Sequence, residues 1–566
     1  MCFRQGGIFL KTLDKINLIH KDERIRQNIL PVKIIKTWGN VINAEGLLNE
    51  SLPQITTNET NPTFLKNTEN PSEEASILLD FGTEINGSLR ILNSACVCDE
   101  KYATVNIKFG ESANEACSTI DVKGSTNDHI ARDFDAIIPT CSDQEFGETG
   151  FRFARITLKS PNAVLGLKSI YAVLICRDLE YLGSFKCNDE LLNNIYDTAA
   201  YTCHLCMQRY LWDGIKRDRL VWVGDMHPEM MTIKTVFGYS DVMTQAIRFA
   251  RLTTPISKWM NEFPPYSVWW LRILWDWYYF GGDKEFFEEN REYAIALIKK
   301  IIAFVHEDGS DNFNECFLDW PTSESKAGFN GVKGLLALGI EDCVNLAKEY
   351  GETELSDECL RKLTQFRKRN IEFEGAKQTA ALLSLSGIAD EEKAADFILD
   401  GGADGMSTFM SYYILTAAAK KSVNGALDML RDYYGGMLKV SATTFWEDFD
   451  VKWLENARPI DELVDEGEYD IHGDRGNYCY KGFRHSFCHA WSSAPTAFLA
   501  ETVLGIKIMD VGCKKIKISP DLGNLTWAKG TYPTPYGVVS VSHKKNSDGT
   551  ITTEYTAPDK VIVELD

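Results

Sequence analysis

Between about residues 75 and 187 the apolar positions alternate with period two. ASILLDFG, GSLRILNS, YATVNIKFGE and FRFARITLKS are short runs of this kind, separated by Gly, Asn, Asp and Ser. Alternation on this scale places one face of a strand on a core and the other in water, so the segment predicts an antiparallel sandwich or jelly roll ending near Cys187. The chain before about residue 70, with NESLPQITTNETNPTFLKNTENPSEE, reads as irregular because Asn, Thr, Pro and Glu break any period. After Cys187 the spacing lengthens to three and four. Asn188 is the expected N-cap of DELLNNIYDTAAYTCHLCMQRY, where Leu191, Leu192, Ile195, Ala199 and Thr202 share a face. REYAIALIKKIIAFVHED repeats the spacing through Ala294, Leu297, Ile298, Ile301 and Val305. GVKGLLALGIEDCVNLAKEYG, DEEKAADFIL, MSTFMSYYILTAAAKK, NGALDMLRDYY and SSAPTAFLAETVLG carry it to about residue 505. Roughly a dozen helices of ordinary length fit this span, a number that suits a toroid of paired helices. KKIKISP, GVVSVSHKK, TITTEYTA and KVIVELD then return to period two. The expected organisation is a β-sandwich over residues 1–187, a helical domain over 188–507 and a small β-sandwich over 508–566.

Composition narrows the function. The 566 residues exceed one core, and 44% hydrophobic with 25% charged residues is ordinary for a globular protein. A formal charge of -21 without a basic run argues against nucleic acid. No stretch of about 20 apolar residues offers a membrane span. The N-terminal MCFRQGGIFLKTLDKINLIHKDE lacks the apolar core of a secretory signal, since Lys11, Asp14 and Lys15 interrupt it. Fifteen irregularly spaced cysteines suit reduced thiols and a cytoplasmic location. There is no phosphate loop, dinucleotide fingerprint or nucleophile elbow, so phosphoryl transfer, hydride transfer and serine esterase chemistry lose support.

Two acidic stretches stand out. DGIKRDRLVWVGDMHPE, Asp213 to Glu229, sets Asp213, Asp218 and Asp225 among Arg217, Arg219 and Trp222, with an apolar insert that should be buried. Alternating charge lets several acids share a pocket, although a solvated loop with surface ion pairs is the plain alternative. In SATTFWEDFDVKW, Glu447 follows Trp446. Tryptophan faces beside carboxylates suit carbohydrate, and glycoside hydrolysis needs two carboxyl groups flanking the scissile bond, a role open to Asp218 and Glu447. Asp276 in LWDW, and Trp320 after Asp319 in CFLDWPTSES, are further candidates for sugar contact, whereas Trp269, Trp270, Trp275 and Trp277 read as core. His485 and His489 stand at i and i+4 but lack the acid and third ligand of a zinc helix, so hydrogen bonding to a sugar is preferred to metal. CHLC, Cys203 to Cys206, reads as core packing. Neither a metal nor a cofactor is expected. The expected partner is a small-molecule glycoside or oligosaccharide, with no nucleic acid or membrane and with a homo-oligomer left open.

Together these residues resemble the α-L-rhamnosidases of glycoside hydrolase family 78. DGIKRDRLVWVGD is similar to the family pattern D-C-P-x-R-E-R-x-G-W-x-G-D, TTFWE to T-T-x-W-E, and RHSFCHAWSSAP to its S-x-x-H segment. LLDFGTEINGSLRI, FGES, TGFRFARI and WAKGTYPTPYG also resemble family stretches, so the likeness runs from about residue 78 onward. It implies an (α/α)6 barrel between β domains and an inverting hydrolysis, with the general acid at residue 218 and the general base at Glu447. It further implies Asp213 and Asp225 as sugar-binding acids, Trp222 as the signature aromatic, and a histidine supplied by His485 or His489. Two departures stand in the signature. Asp218 replaces glutamate, which withdraws the carboxyl by about 1.5 Å, and Gly214-Ile215 replaces Cys-Pro. Alternatives to a rhamnosidase are a glycosidase of the same fold acting on another sugar, or a catalytically impaired carbohydrate-binding relative.

Overall fold

The computed structural model describes residues 22–566 apart from 57 and 466; the reading of the extreme N-terminus falls outside the described residues. Strands β1 (Arg24–Ile29), β2 (Lys33–Trp38), β3 (Asn40–Ile42), β4 (Thr63–Asn67), β5 (Ser76–Val97), β6 (Tyr102–Gly110), β7 (Asp133–Pro139), β8 (Asp143–Leu158) and β9 (Ala163–Arg177) form one nine-stranded sheet. Every pairing in it is antiparallel. β5 has three partners: it pairs with β8 over residues 76–92, while its first residues also pair with β2 and residues 87–97 with β9. The register breaks between Asp80 and Ile85 bend it, as bulges do. Its apolar interior is built from residues such as Ile77, Leu79, Leu89, Ile107, Phe151 and Ile156.

The region before residue 70 is therefore not irregular, for β1 to β4 lie there. RIRQNI and KIIKTW leave half or more of their positions in water, so burial supplies little alternation to read, and pairing with β9 and β5 defines these strands.

Helix α1 (Ala113–Cys117) follows β6. The helical region opens with α2 (Glu190–Cys206), α3 (Met226–Val236), α4 (Asp241–Thr253) and α5 (Pro264–Gly281) and continues through helices as long as Lys326–Glu349 and Val423–Lys439. Asp189, rather than Asn188, caps α2 by accepting from the Leu191 and Leu192 amides. Asn188 instead receives the Thr526 amide. Among the described residues no helix is long and apolar enough to cross a membrane.

The short strand β10 (Ser184–Cys187) leaves the N-terminal sheet and pairs with β13, in a sheet ordered β10-β13-β14-β15. A three-stranded sheet, β11-β12-β16, completes the C-terminal part. The ranges are β11 (Ile506–Ile508), β12 (Lys515–Ile518), β13 (Trp527–Thr534), β14 (Gly537–Lys545), β15 (Ile551–Thr556) and β16 (Ile562–Leu565). Phe185, Tyr532, Val539 and Val541 share one apolar cluster with the helices, including Trp269, Trp270 and Trp277 of α5, which are fully buried. Cys203 and Cys206 lie in the interior too.

A buried ion pair within the N-terminal sheet reaches the helical region through its arginine. Arg152 on β8 donates to both Asp80 oxygens, at 2.8 and 2.9 Å, and to the Ser441 carbonyl at 2.9 Å. Removing one partner strands a buried charge, which costs about 3–5 kcal/mol. Asp80→Ala is expected to lower the midpoint of denaturant unfolding by that order; a midpoint unchanged from wild type would count against the joint.

Candidate active site

The segment between α2 and α3 is a loop folded on itself. The Asp213 amide donates to the Leu220 carbonyl at 3.1 Å and the Leu220 amide to Asp213 Oδ1 at 2.9 Å, closing it. At its tip Asp218 and Arg219 both adopt positive φ, 54° and 57°, conformations that L side chains accept at a cost of order 1–3 kcal/mol when the surroundings impose them. Asn261 clamps the returning arm by accepting the Val223 amide at 2.9 Å and donating to the Val221 carbonyl at 3.1 Å. Gly224 lies against the Tyr266 ring, where a Cβ would come within 2.4 Å of a ring carbon.

This turn brings residue 218 beside a residue 229 positions away. Arg217 donates through Nη1 to Asp218 Oδ1 at 3.0 Å and through Nη2 to both Glu447 oxygens at 2.7 and 2.6 Å. The two carboxylates therefore stand a guanidinium's width apart. Arg217 is held in turn by the Arg484 carbonyl at 2.9 Å, and Glu447 also accepts the Ser486 amide at 3.2 Å. Around them His489 Nε2 lies 3.6 Å from Asp213, 3.8 Å from Asp225 and 3.7 Å from Glu447. Asp213, Arg217, Asp225, Glu447 and His489 are all buried.

Burial sets the protonation. It pushes Asp213 and Asp225 well above the usual carboxylate range, reinforced by Asp218 at Asp213 and by Asp213 and Glu447 at Asp225. Glu229, one turn into α3, is raised by burial and then by Asp225. His489 is pulled down to about 4 by burial, and His485 falls well below its ordinary value for the same reason. Neutral acids and imidazoles can donate as well as accept, the pattern that hydroxyl groups require. Asp218 differs. Burial raises it, but Arg217, His129 and Trp222 outweigh burial and hold it below its ordinary value.

The aromatic residues divide into wall and core. Trp222 is half-buried, gives its Nε1–H to Asp218 Oδ2 at 3.1 Å and packs near Phe263 and Tyr266. The wall continues through Phe317 to Trp320, which lies against Tyr478 and Tyr480. Trp446 is not on it. Its ring is fully buried and stacked on Phe487 at 3.8 Å, with Phe449 and His485 at its edges, so neither face is open to a sugar. Asp276 is also elsewhere. It lies ten residues beyond Tyr266 on α5, about 15 Å along the axis, pairs with His227 at 2.9 Å and lines a cavity of about 810 Å³ against the C-terminal strands. His485 and His489 do not share a helix, because the chain is extended there and His489 bridges Gly214. His485 accepts the Asp448 amide at 3.0 Å and so steadies the Glu447 segment.

Several groups at or behind the site escaped the sequence reading. His129, in the loop before β7, places Nε2 3.1 Å from Asp218 Oδ1. FGES supplies Glu111, which accepts the Phe487 amide at 2.6 Å and lies 3.4 Å from the Lys216 ammonium. Lys216 also pairs with Glu115 at 2.8 Å and donates to the His485 carbonyl at 2.8 Å. Glu111, Glu115 and His472 are close enough to share a cation, and Lys216 Nζ already stands among them, 3.5 Å from His472.

Residues 180–334 match the bacterial alpha-L-rhamnosidase six-hairpin glycosidase domain, and residues 505–566 match the bacterial alpha-L-rhamnosidase C-terminal domain. Both matched segments are therefore similar to domains of bacterial α-L-rhamnosidases. A Formosa agariphila protein described as an alpha-L-rhamnosidase is 31% identical to this chain over 85 residues, which are 15% of this chain and 9% of that protein. The fold is similar to the rhamnosidase of Bacillus sp. GL1, with a TM-score of 0.72 and 22% identity, over 92% of this chain and 55% of that one. It is also similar to a Klebsiella oxytoca rhamnosidase solved with rhamnose bound, with a TM-score of 0.66 and 17% identity, over 84% of this chain and 96% of that one. The chain thus spans little more than half of the Bacillus relative and nearly all of the Klebsiella one.

Beside Glu447, Asp448 lines a cavity of about 300 Å³ with Tyr433, Trp453 and Tyr478, and burial pushes its carboxyl up to about 7. Folded protein then holds a proton between about pH 4 and 7 that unfolded chains release, so this group's stabilisation is complete below pH 4 and lost as pH rises through 7. Asp448→Asn is expected to raise the thermal midpoint relative to wild type at pH 8 by something on the order of 2 °C and to leave it nearly unchanged at pH 4. Equal shifts at both pH values would exclude this titration.

Proposed function

We propose that the protein is an inverting glycoside hydrolase that releases terminal L-rhamnose from α-L-rhamnosides. Its helices would close an (α/α)6 barrel between β-sandwich domains, and the site would lie where the 213–225 loop, Glu447 and His489 meet. The observation that carries the reading is Arg217 holding Asp218 and Glu447 on opposite arms of one guanidinium beneath the Trp222 to Trp320 wall. Glu447 is the residue matched to the family base. As a carboxylate it would take a proton from the attacking water while the leaving oxygen is protonated from the residue 218 side. Asp213, Asp225 and His489, neutral and buried together, suit hydroxyl groups of a bound sugar. The rhamnose bound to the Klebsiella relative supports the choice of sugar.

A second reading, a sugar-binding relative without turnover, is favoured by one observation: Asp218 is short and held below its ordinary value, the wrong direction for a carboxylic acid that must donate near neutral pH. A panel of nitrophenyl glycosides separates the two. The α-L-rhamnoside is expected to be cleaved, with the first product observed by NMR as the inverted anomer, and Glu447→Gln is expected to lower kcat about 10²–10⁴-fold. Binding of rhamnose by wild type without any turnover would instead select the second reading, and turnover of a different glycoside alone would change the sugar.

A further inference from the structure

The 118–132 loop of the N-terminal region is docked onto the helical region rather than hanging free. The Lys123 carbonyl accepts the Phe483 amide at 2.7 Å, Lys123 pairs with Asp474 at 2.8 Å, and Asp128 pairs with Arg484 at 3.1 Å. The docked loop carries His129 to the rim of the site with positive φ, 66°, its ring about a third exposed and its Nε2 3.1 Å from Asp218 Oδ1. The same Arg484 whose side chain holds Asp128 offers its carbonyl to Arg217. The groups facing His129 are Asp218 and Asp128, which are acidic, and Arg217 on the other side of Asp218.

Asp218 is surrounded by donors. Oδ1 faces Arg217 and His129, and Oδ2 faces the Trp222 N–H. Neither a guanidinium nor an indole nitrogen can accept a proton, so the surroundings favour the ionised carboxylate over the acid. The missing methylene also draws the carboxyl back from the place a glutamate would reach. An imidazole next to the retracted carboxylate supplies both what is absent: added reach, and a ring nitrogen that can hold a proton and give it away.

We propose that His129 is the proton donor of this site and that Asp218 is the carboxylate that orients it and stabilises its charged form. This rests on the glycosidase reading above. The ring's Nε2–H stays on Asp218, and Nδ1–H passes its proton to the glycosidic oxygen as the bond from that oxygen to the anomeric carbon breaks and the bonding pair moves onto oxygen. Water attacks the anomeric carbon from the opposite face and gives its proton to Glu447. The cycle leaves His129 neutral and Glu447 protonated. Net transfer of one proton through solvent restores both, and His129 is exposed enough to exchange.

The test joins kinetics with a spectroscopic readout that needs no turnover. His129→Gln is expected to lower kcat on an alkyl α-L-rhamnoside about 10²–10⁴-fold, since an alkoxide cannot leave unprotonated, and by less than about 10-fold on the 2,4-dinitrophenyl rhamnoside, which needs little help. It is also expected to remove the alkaline limb of the wild-type pH profile. Equal losses on both substrates would mark a merely structural side chain and overturn the proposal, as would full activity on the alkyl substrate. Separately, the His129 ring resonances, followed by NMR and assigned by their loss in His129→Gln, are expected to move in Asp218→Asn relative to wild type, because the 3.1 Å contact to the carboxylate is lost. Unmoved resonances overturn the pair. Wild type that cleaves no glycoside while the resonances move as expected removes the glycosidase reading and the donor role with it, leaving only the contact between the two side chains.

Discussion

A guanidinium buried between two carboxylates organises the centre of this molecule. A guanidinium away from water is costly unless its charge is paired and its N–H groups find acceptors. Glu447 and Asp218 provide them, and the Arg484 carbonyl takes the remaining Nε–H. Each partner belongs to a different piece of chain, so satisfying this cation fixes the loop after α2, the segment of Glu447 and the turn before His485 at once. Behind it Lys216 does the same towards the N-terminal sheet through Glu115 and Glu111. Two adjacent basic residues thus point opposite ways, one into the site and one into the joint that supports it.

How much of this could be read from the residues alone follows from range of interaction. Strands from Ala75 onward and the helices from residue 190 were legible because each buries one regular face, and periodicity reports that directly. β1 and β2 were not, since half of each stays in water, and β4 was not because two of its three buried positions, Thr63 and Asn67, are polar. The signature loop announced itself by crowding acids and bases around an apolar insert. Whether an individual side chain faces a ligand or the core was not legible. Trp446 sits next to Glu447 in sequence, yet its ring turns inward onto Phe487. Asp276 follows the same helix as Tyr266 but lies three turns along it. The i, i+4 spacing of His485 and His489 suggested a helix, and the extended backbone there gives the two rings different tasks. His129 had no local signal at all, because only the docking of its loop brings it to residue 218.

The electrostatics divide the acids by depth and by neighbour together. Asp213, Asp225 and Glu229 are pushed up first by burial and then by a neighbouring acid, Asp218 at Asp213, Asp213 at Asp225 and Asp225 at Glu229. Asp218 shares their loop, but cationic and N–H groups crowd it and it stays ionised. A single stretch of 17 residues therefore carries aspartates with opposite hydrogen-bonding character, one kind able to donate and the other only to accept. A polyhydroxylated ring suits such a mixture, since each hydroxyl both gives and takes.

The excursion of β10 into the far sheet bears on how the protein is made. Ser184–Cys187 finds its partner only at residues 528–531, about 340 positions later. At ribosomal speeds of about 5–20 residues per second, that strand must wait some tens of seconds after synthesis with its edge unpaired. The nine-stranded sheet can mature during that interval, whereas the helices between the two halves of the pairing cannot be sealed until the tail arrives. Its four residues keep that open edge short, which limits the backbone offered to other strands in the meantime.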